Sequence, residues 1–378
     1  MHLHFRNVND AFKGIVQNIH KGTVPTIKTG SRNGPVIQIE EPVLITYSHP
    51  KECVLFNSAR DCNPFFHVYE ILWMLAGRND VASLAYYAKQ MGSYSDDGIT
   101  LNAAYGYRWR HAETLSIQPD DRSVVDQLKL IVAHLKANPG SRRAVLQMWT
   151  VEDDLLKIGP DNVAKDTCCN TAVYFAIRKA NKSEGQIAEQ GESPAYLDMT
   201  VTNRSNDLIW GCLGSDHVHF TFLQEYMAAC IGVEVGVYNH FTNNLHVYTE
   251  NNSGWKPMEW LNPSVDGARG YSDFFEMPEQ CKHVPLVKDP ETFDREVLKF
   301  VELNKNSELG NVMWSEPFLA KVAQPMCHAF HMHKQRDYNS AMFWVGNIEA
   351  DDWRIAAKMW IEKRKFNWEN KSEQTKEE

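Results

Sequence analysis

Between Asn203 and Asp216 the chain gathers an arginine, a serine and two carboxylates around a glycine: Arg204-Ser205, then Asp207, Gly211 and Asp216. An arginine beside a serine offers a planar cation and a hydroxyl to a phosphate-type anion, and carboxylates just beyond can accept from ligand N–H groups. A helix-like apolar pattern starts directly afterwards, and fixed donors leading into a helix start suit a small anionic ligand. Cys169 is the candidate nucleophile. It follows Asp166-Thr167-Cys168 and precedes an apparent strand, and a nearby cation would favour its thiolate. The bland alternative is a small buried thiol. Glu70 stands inside an apolar helix, where a carboxylate is either paired with a cation or held for proton transfer. Arg142-Arg143, after a Pro-Gly-Ser turn, is an anion site or a solvated face. His246-x-Tyr248 on a strand would point both side chains to one face, towards a sugar hydroxyl or into simple packing. His328, His331 and His333 lack an acidic or cysteine set to complete a metal site, so no metal is expected.

These residues must be positioned by a mixture of strands and helices. Residues 23–50 read as β-rich, with strands at 36–39 and 43–47. Further strands are expected at 144–149, 172–177, 196–202, 233–241 and 245–248. Asn63-Pro64 reads as the cap and first position of a helix running to Leu75. Amphipathic spacing predicts helices over 123–137 and 218–231. Ser93 to Gly106 reads as a polar, glycine-bearing loop, and Lys179 to Pro194 as a solvated one. Composition shifts near residue 255 towards Pro, Asp, Glu and Lys, followed by helices around 292–305, 336–344 and 350–366 and a frayed tail after Asn367. The expected division is a catalytic domain over 1–258 and a mostly helical extension over 259–378.

Composition sets outer limits. Of 378 residues, 43% are hydrophobic and 23% charged, an ordinary balance for a soluble globular protein. A net charge of -9 argues against a general nucleic-acid binder. No export signal or membrane-spanning run is read, so a cytosolic protein is expected, in the host's cytoplasm if the source is viral. None of the eight cysteines forms a C-x-x-C pair, so reduced thiols are expected.

Taken in order, Arg32, Glu70-Ile-Leu-Trp73-Met-Leu75, Tyr105-Gly106-x-x-Trp109-Arg110, Ser141-Arg142-Arg143 with Trp149, Cys169, Arg204-Ser205-x-Asp207 with Gly211, and His246-x-Tyr248 resemble the thymidylate synthase family over roughly residues 25–255. The resemblance implies a three-layer α/β (α+β) fold on a large mixed sheet, and a homodimer packed sheet to sheet. It implies that Cys169 adds to C6 of a pyrimidine nucleoside monophosphate, so that C5 can take a one-carbon unit from 5,10-methylenetetrahydrofolate. Glu70 would move protons, and Tyr105 would help remove the C5 proton. Arg32, Arg204 and Ser205 would hold the phosphate, with Arg142 and Arg143 reaching it from the partner subunit. His246 and Tyr248 would hold the sugar hydroxyl. Asp207 would bind the folate pterin, with Trp73 also assigned to the cofactor.

Departures from the family pattern refine the expectation. Synthases read uracil with an asparagine; here, with one extra residue after Gly211, Asp216 takes that position. A carboxylate accepts from the cytosine amino group, and an anion facing uracil O4 is repelled. Asp216 is therefore expected to select cytosine and to act in catalysis, a pattern similar to phage deoxycytidylate hydroxymethylases. No tryptophan occurs between Trp73 and Trp109, where synthases shield the exocyclic methylene from water. That favours hydroxymethylation of dCMP. A dCMP 5-methyltransferase, a thymidylate synthase acting on dUMP and a CMP hydroxymethylase are the alternatives. Asn170 stands where the family has histidine, and Asn203 where it has glutamine.

Overall fold

The computed structural model describes residues 1–31, 33–57, 60–114, 123–158, 164–179, 194–250, 258–259, 281–305 and 308–377. Its centre is a six-stranded mixed sheet in the order β1-β4-β11-β9-β8-β7. The strands are β1 (His2–Phe5), β4 (Val43–Tyr47), β7 (Val145–Gln147), β8 (Asn170–Lys179), β9 (Ala195–Asn203) and β11 (Glu234–Thr242). A four-stranded sheet, β10-β12-β3-β2, stands beside it, formed from β2 (Thr26–Ser31), β3 (Gly34–Ile39), β10 (Asn206–Asp207) and β12 (Leu245–Tyr248). A small hairpin pairs β5 (Ala112–Thr114) with β6 (Ser123–Val125).

Strict alternation along β9 buries Leu197, Met199 and Val201 on one face, and the same period turns Asn203 inward where the strand meets the site. Helix α7 (Asp216–Ile231) packs on β9 and β11, α2 (Pro64–Leu75) packs on α7, and α1 (Val8–His20) packs on β1. Helix α2 begins as its sequence predicts, with Asn63 accepting from Phe65 and Phe66 N–H and Pro64 in the first turn. It is buried nearly all round, as a helix apolar on every side must be.

Several expectations are corrected. The amphipathic helix α1 went unread. The helix expected over 123–137 starts only at Gln127 (α6, Gln127–Ala137), because β-branched Val124 and Val125 join the hairpin instead. The loop expected over Ser93–Gly106 contains the end of a short helix, α4 (Met91–Tyr94), and the start of another, α5 (Tyr105–Arg110); α3 (Val81–Tyr87) precedes both. Gly106 is required there, since a Cβ would fall 2.0 Å from the Met74 carbonyl oxygen. The loop expected over Lys179–Pro194 lies almost wholly outside the described residues.

Beyond residue 281 the chain forms helices Pro290–Lys305, Gln324–Lys334, Tyr338–Gly346 and Asp351–Glu377. The second of these had no counterpart in the sequence expectation, and the last continues to Glu377 where a frayed tail was expected. Phe293, Val297, Phe300, Phe330 and Trp360 belong to the same apolar cluster as α2 and α7. The C-terminal helices therefore complete the core rather than standing apart from it. His328, His331 and His333 sit in this region, on the Gly310 carbonyl, the Tyr86 hydroxyl and the Trp360 ring respectively. Among the described residues, no helix is long and apolar enough to cross a membrane.

Candidate active site

The rim between the two larger sheets opens into a cavity of about 1010 Å3. Cys169, Tyr105, Arg204 and Ser205 line it, as do Asp207, Asp216, His246 and Tyr248. Residues scattered over more than 140 positions thus line one cavity.

Cys169 closes the loop that leads into β8. Buried Asp154 pins that loop: it pairs with Arg108 at 2.5 Å and accepts from Cys168 N–H at 3.2 Å. Arg204 holds it from the other side, with Nε donating to the Cys168 carbonyl at 2.8 Å and Nη2 to the Thr167 carbonyl at 3.1 Å. The same Nη2 lies 3.9 Å from Cys169 Sγ, where a cation favours the thiolate. Tyr105 stacks on Phe220, and burial pushes its phenol well up, so it enters as a neutral hydroxyl.

Asp207 and His246 are direct partners in the parallel β10–β12 ladder. Burial pushes the Asp207 carboxyl up and the His246 imidazole down. Asp207 also caps the following turn, with Oδ1 accepting from Ile209 N–H at 2.8 Å and from Trp210 N–H. His246 packs edge-on against Tyr248, confirming that the two share a face.

The turn after Asp207, Leu208–Ser215, is π-helical with a kink at Gly214, whose backbone leaves the helical region at φ -116° and ψ -111°. It delivers Asp216 to the first position of α7. At Gly211 a Cβ would fall 2.1 Å from Asn206 Oδ1, so only glycine lets that amide sit beneath the turn.

Asp216 Oδ2 accepts from two buried amides, Asn206 Nδ2 at 2.9 Å and Asn203 Nδ2 at 3.2 Å. Asn203 Oδ1 in turn accepts from Asn170 Nδ2 at 2.9 Å. Asn206 Nδ2 also lies 3.1 Å from His240 Nε2, and His240 Nδ1 is 2.6 Å from the Tyr238 hydroxyl. Burial holds His240 neutral, at about 3. On its other side, Asp216 Oδ1 lies 3.9 Å from His219 Nδ1, and His219 Nε2 is 2.7 Å from Glu70 Oε2. Burial raises the Asp216 carboxyl, and Glu70 adds to this; His219 and the two amides only partly offset it. Burial opposes charge on His219, but Glu70 outweighs it and the net direction is up.

Glu70 does not itself line the cavity; it reaches the site through His219 and Asp216. Trp73 is 1% exposed in the core of α2 and lines no part of it. Arg142 and Arg143 are solvent-exposed ahead of β7 and are absent from this chain's own cavity wall. Arg32 lies outside the described residues. Sequence reasoning passed over His219, Asn206 and His240. The Asp216-x-x-His219 spacing on one helix face was the available signal for the first; nothing local marked the others.

The thymidylate synthase family model matches residues 13–309. The chain belongs to the thymidylate synthase family. It is similar to a deoxyuridylate hydroxymethyltransferase of Pseudomonas phage M6, 38% identical over 374 residues, covering 96% of this chain and 94% of that protein. It is also similar to a deoxyuridylate hydroxymethyltransferase of Bacillus phage SP01, 37% identical over 217 residues, covering 57% of this chain and 52% of that protein. Within this family the chain is a one-carbon transferase with 5,10-methylenetetrahydrofolate as co-substrate. The cavity volume stands at the upper end of the roughly 300–1,000 Å3 usual for a small-molecule site. Trp210 and Tyr94 add flat aromatic faces to the wall, suited to a ring system such as a pterin.

Proposed function

We propose that this enzyme hydroxymethylates dUMP: dUMP, 5,10-methylenetetrahydrofolate and water give 5-hydroxymethyl-dUMP and tetrahydrofolate. The observation that carries this is the likeness, over nearly the whole chain, to a deoxyuridylate hydroxymethyltransferase. Asp216 is compatible with it for a physical reason that the sequence did not reveal. Glu70, His219 and Asp216 form a buried row of two carboxyls and one imidazole. With Glu70 and His219 as an ion pair, a third buried charge would stand without a counter-ion, so the low-cost state of Asp216 is the neutral acid. A neutral carboxyl presents an O–H donor, which suits O4 of uracil where an anion would offer only acceptors. Oδ2 already accepts two amide N–H bonds, which leaves the proton to Oδ1.

The roles of the remaining residues follow. Cys169 Sγ adds to C6, with Arg204 stabilising the thiolate, and C5 becomes a carbanion equivalent. The co-substrate supplies a one-carbon unit at the methylene level. Arg204 and Ser205 hold the phosphate together with Arg32, and His246 with Tyr248 holds the sugar. Tyr105 assists removal of the C5 proton. Glu70 and His219 direct water to the exocyclic methylene on C5; a hydroxyl adds there, and the Cys169–C6 bond breaks to release the product. Tyr94, 41% exposed on the cavity wall, stands in for the tryptophan that would exclude this water. Asp207 and Trp210 are assigned to the folate ring.

The enzyme is proposed to work as a homodimer. The outer face of the six-stranded sheet is only half covered and carries a polar ladder, with Thr46 donating to Asn239 at 2.7 Å and Tyr174 standing clear. A partner packed on this face would bring Arg142 and Arg143 towards the other subunit's phosphate.

A second reading keeps Asp216 as an anion and dCMP as the substrate, since Oδ2 with its two amide donors is also a stable carboxylate environment. Mass spectrometry of the products from dUMP and from dCMP decides. A mass gain of one hydroxymethyl group on dUMP alone supports the proposal. Conversion of dCMP alone overturns it, and a methylated product removes the hydroxymethyl assignment.

A further inference from the structure

The C-terminal helix Asp351–Glu377 touches none of the cavity, yet one of its residues is tied to the wall by three successive contacts. Arg364 forks onto Asp61, with Nη1 to Oδ1 at 2.7 Å and Nη2 to Oδ2 at 2.9 Å. Its guanidinium lies 3.6 Å over the ring of Trp360. Asp61 has φ +52°, left-handed backbone that a non-glycine residue holds only when its surroundings enforce it. The residue before it, Arg60, is 6% exposed. Arg60 Nε donates to the Ile209 carbonyl at 2.8 Å, and its guanidinium stacks 4.3 Å from the Trp210 ring. At Gly214 a Cβ would meet Arg60 Nη2 at 3.1 Å, so the turn is shaped around this guanidinium.

We propose that Arg364 is a positioning residue for the co-substrate side of the cavity: its fork on Asp61 sets Arg60, and Arg60 sets the π-helical turn that carries Trp210. The inference rests on the reading above that Trp210 faces the folate. An arginine fork fixes direction as well as distance, which a lysine does not. Trp360 supports the fork from below, packing edge-on against Phe65 in the first turn of α2 at 5.4 Å. The extension therefore grips the 60–65 elbow at two points, one leading to Trp210 and one to the helix that carries Glu70.

Arg364→Met keeps the aliphatic stem over Trp360 and removes the fork. The measurements are KM for methylenetetrahydrofolate, nucleotide KM, melting temperature, and hydrogen exchange at residues 208–215. The expected result is a folate KM raised about fivefold, with nucleotide KM within twofold and faster exchange in the turn. Arg364→Lys should fall between wild type and Arg364→Met. Asp61→Asn, which tolerates the left-handed backbone, should raise folate KM alike, and the double variant should be no worse than either single one. A lowered melting temperature with folate KM and exchange unchanged would reduce Arg364 to a structural residue and overturn the proposal. Trp210→Ala separates the two ideas. If it leaves folate KM unchanged, the assignment of Trp210 fails; if it raises folate KM while Arg364→Met does not, the link through Arg364 fails.

Discussion

Replacing Asp216 by asparagine tests the reading of the base edge. The carboxyl is buried, accepts two amide N–H bonds on Oδ2 and lies 3.9 Å from His219 through Oδ1. As a neutral acid it offers an O–H donor where an amide offers N–H, so Asp216→Asn should keep kcat/KM for dUMP within about fivefold, equivalent to ~1 kcal/mol. Cytosine presents a donor where uracil has O4. A mismatched two-bond edge contact costs about 1–3 kcal/mol, so wild type should prefer dUMP over dCMP by roughly 5- to 150-fold. The pH dependence carries a sign. The Asp216 carboxyl is raised above its ordinary value, so the competent neutral form dominates below that raised pKa and is lost as pH climbs through it. The ratio of wild-type to Asp216→Asn activity on dUMP should therefore fall as pH rises, since the amide has no such titration. Steady-state kinetics on both nucleotides from pH 5.5 to 9 supply the assay. A wild type that prefers dCMP and becomes dUMP-active on substitution would refute the neutral-acid argument and favour the anionic one.

Three further outcomes are expected. Cys169→Ser should abolish turnover while nucleotide binding, read by equilibrium dialysis, stays within about threefold; full activity would move the nucleophile to another thiol. Tyr94→Trp should shift the product from hydroxymethyl towards methyl by shielding the cavity wall, and a product ratio unchanged by mass spectrometry would remove Tyr94 from control of water. Asp352 is buried, and its carboxyl is pushed to about 6 by burial. A raised carboxyl stabilises the fold below its unfolded pKa and loses that contribution as pH rises through 6. Asp352→Asn should therefore raise the melting temperature at pH 8 by the equivalent of about 2–3 kcal/mol and change little at pH 4, as differential scanning calorimetry would show.

What could be read in the sequence was whatever local chemistry determines. Helix α2 was legible to the residue because an Asn-Pro start and an apolar run specify it. Most strands of the two larger sheets were legible from period-two alternation, and His246 with Tyr248 from the same rule, whereas β1 and the two-residue β10 were not read. The start of α5 was not, because what demands Gly106 is the Met74 carbonyl, 32 positions earlier. Nor was the dependence of Glu70 on His219, whose charge state is set by burial that only the packed α2–α7 pair creates. Asp216 lines the cavity, but its environment was invisible in the sequence: the amides on it come from one strand end and from a two-residue strand.

Those amides show that the departures from the family pattern are one departure. Asn170, Asn203 and Asp216 each looked like an independent substitution, yet Asn170 bonds Asn203 and Asn203 bonds Asp216. An amide at 203 is oriented by its neighbour at 170, and so offers N–H rather than carbonyl to the carboxyl. Exchanging either one alone would leave a buried donor or acceptor unmet, at a cost of about 1–3 kcal/mol. The turn Leu208–Ser215 belongs to the same set, since it lays Gly211 over Asn206 and ends on Asp216. On the function proposed above, base selection is a property of a five-member unit: Asn170, Asn203, Asn206, Gly211 and Asp216. A carboxylate grafted onto a synthase without the other four would meet a differently wired wall, and would lack the two amide N–H donors that fix Oδ2 here.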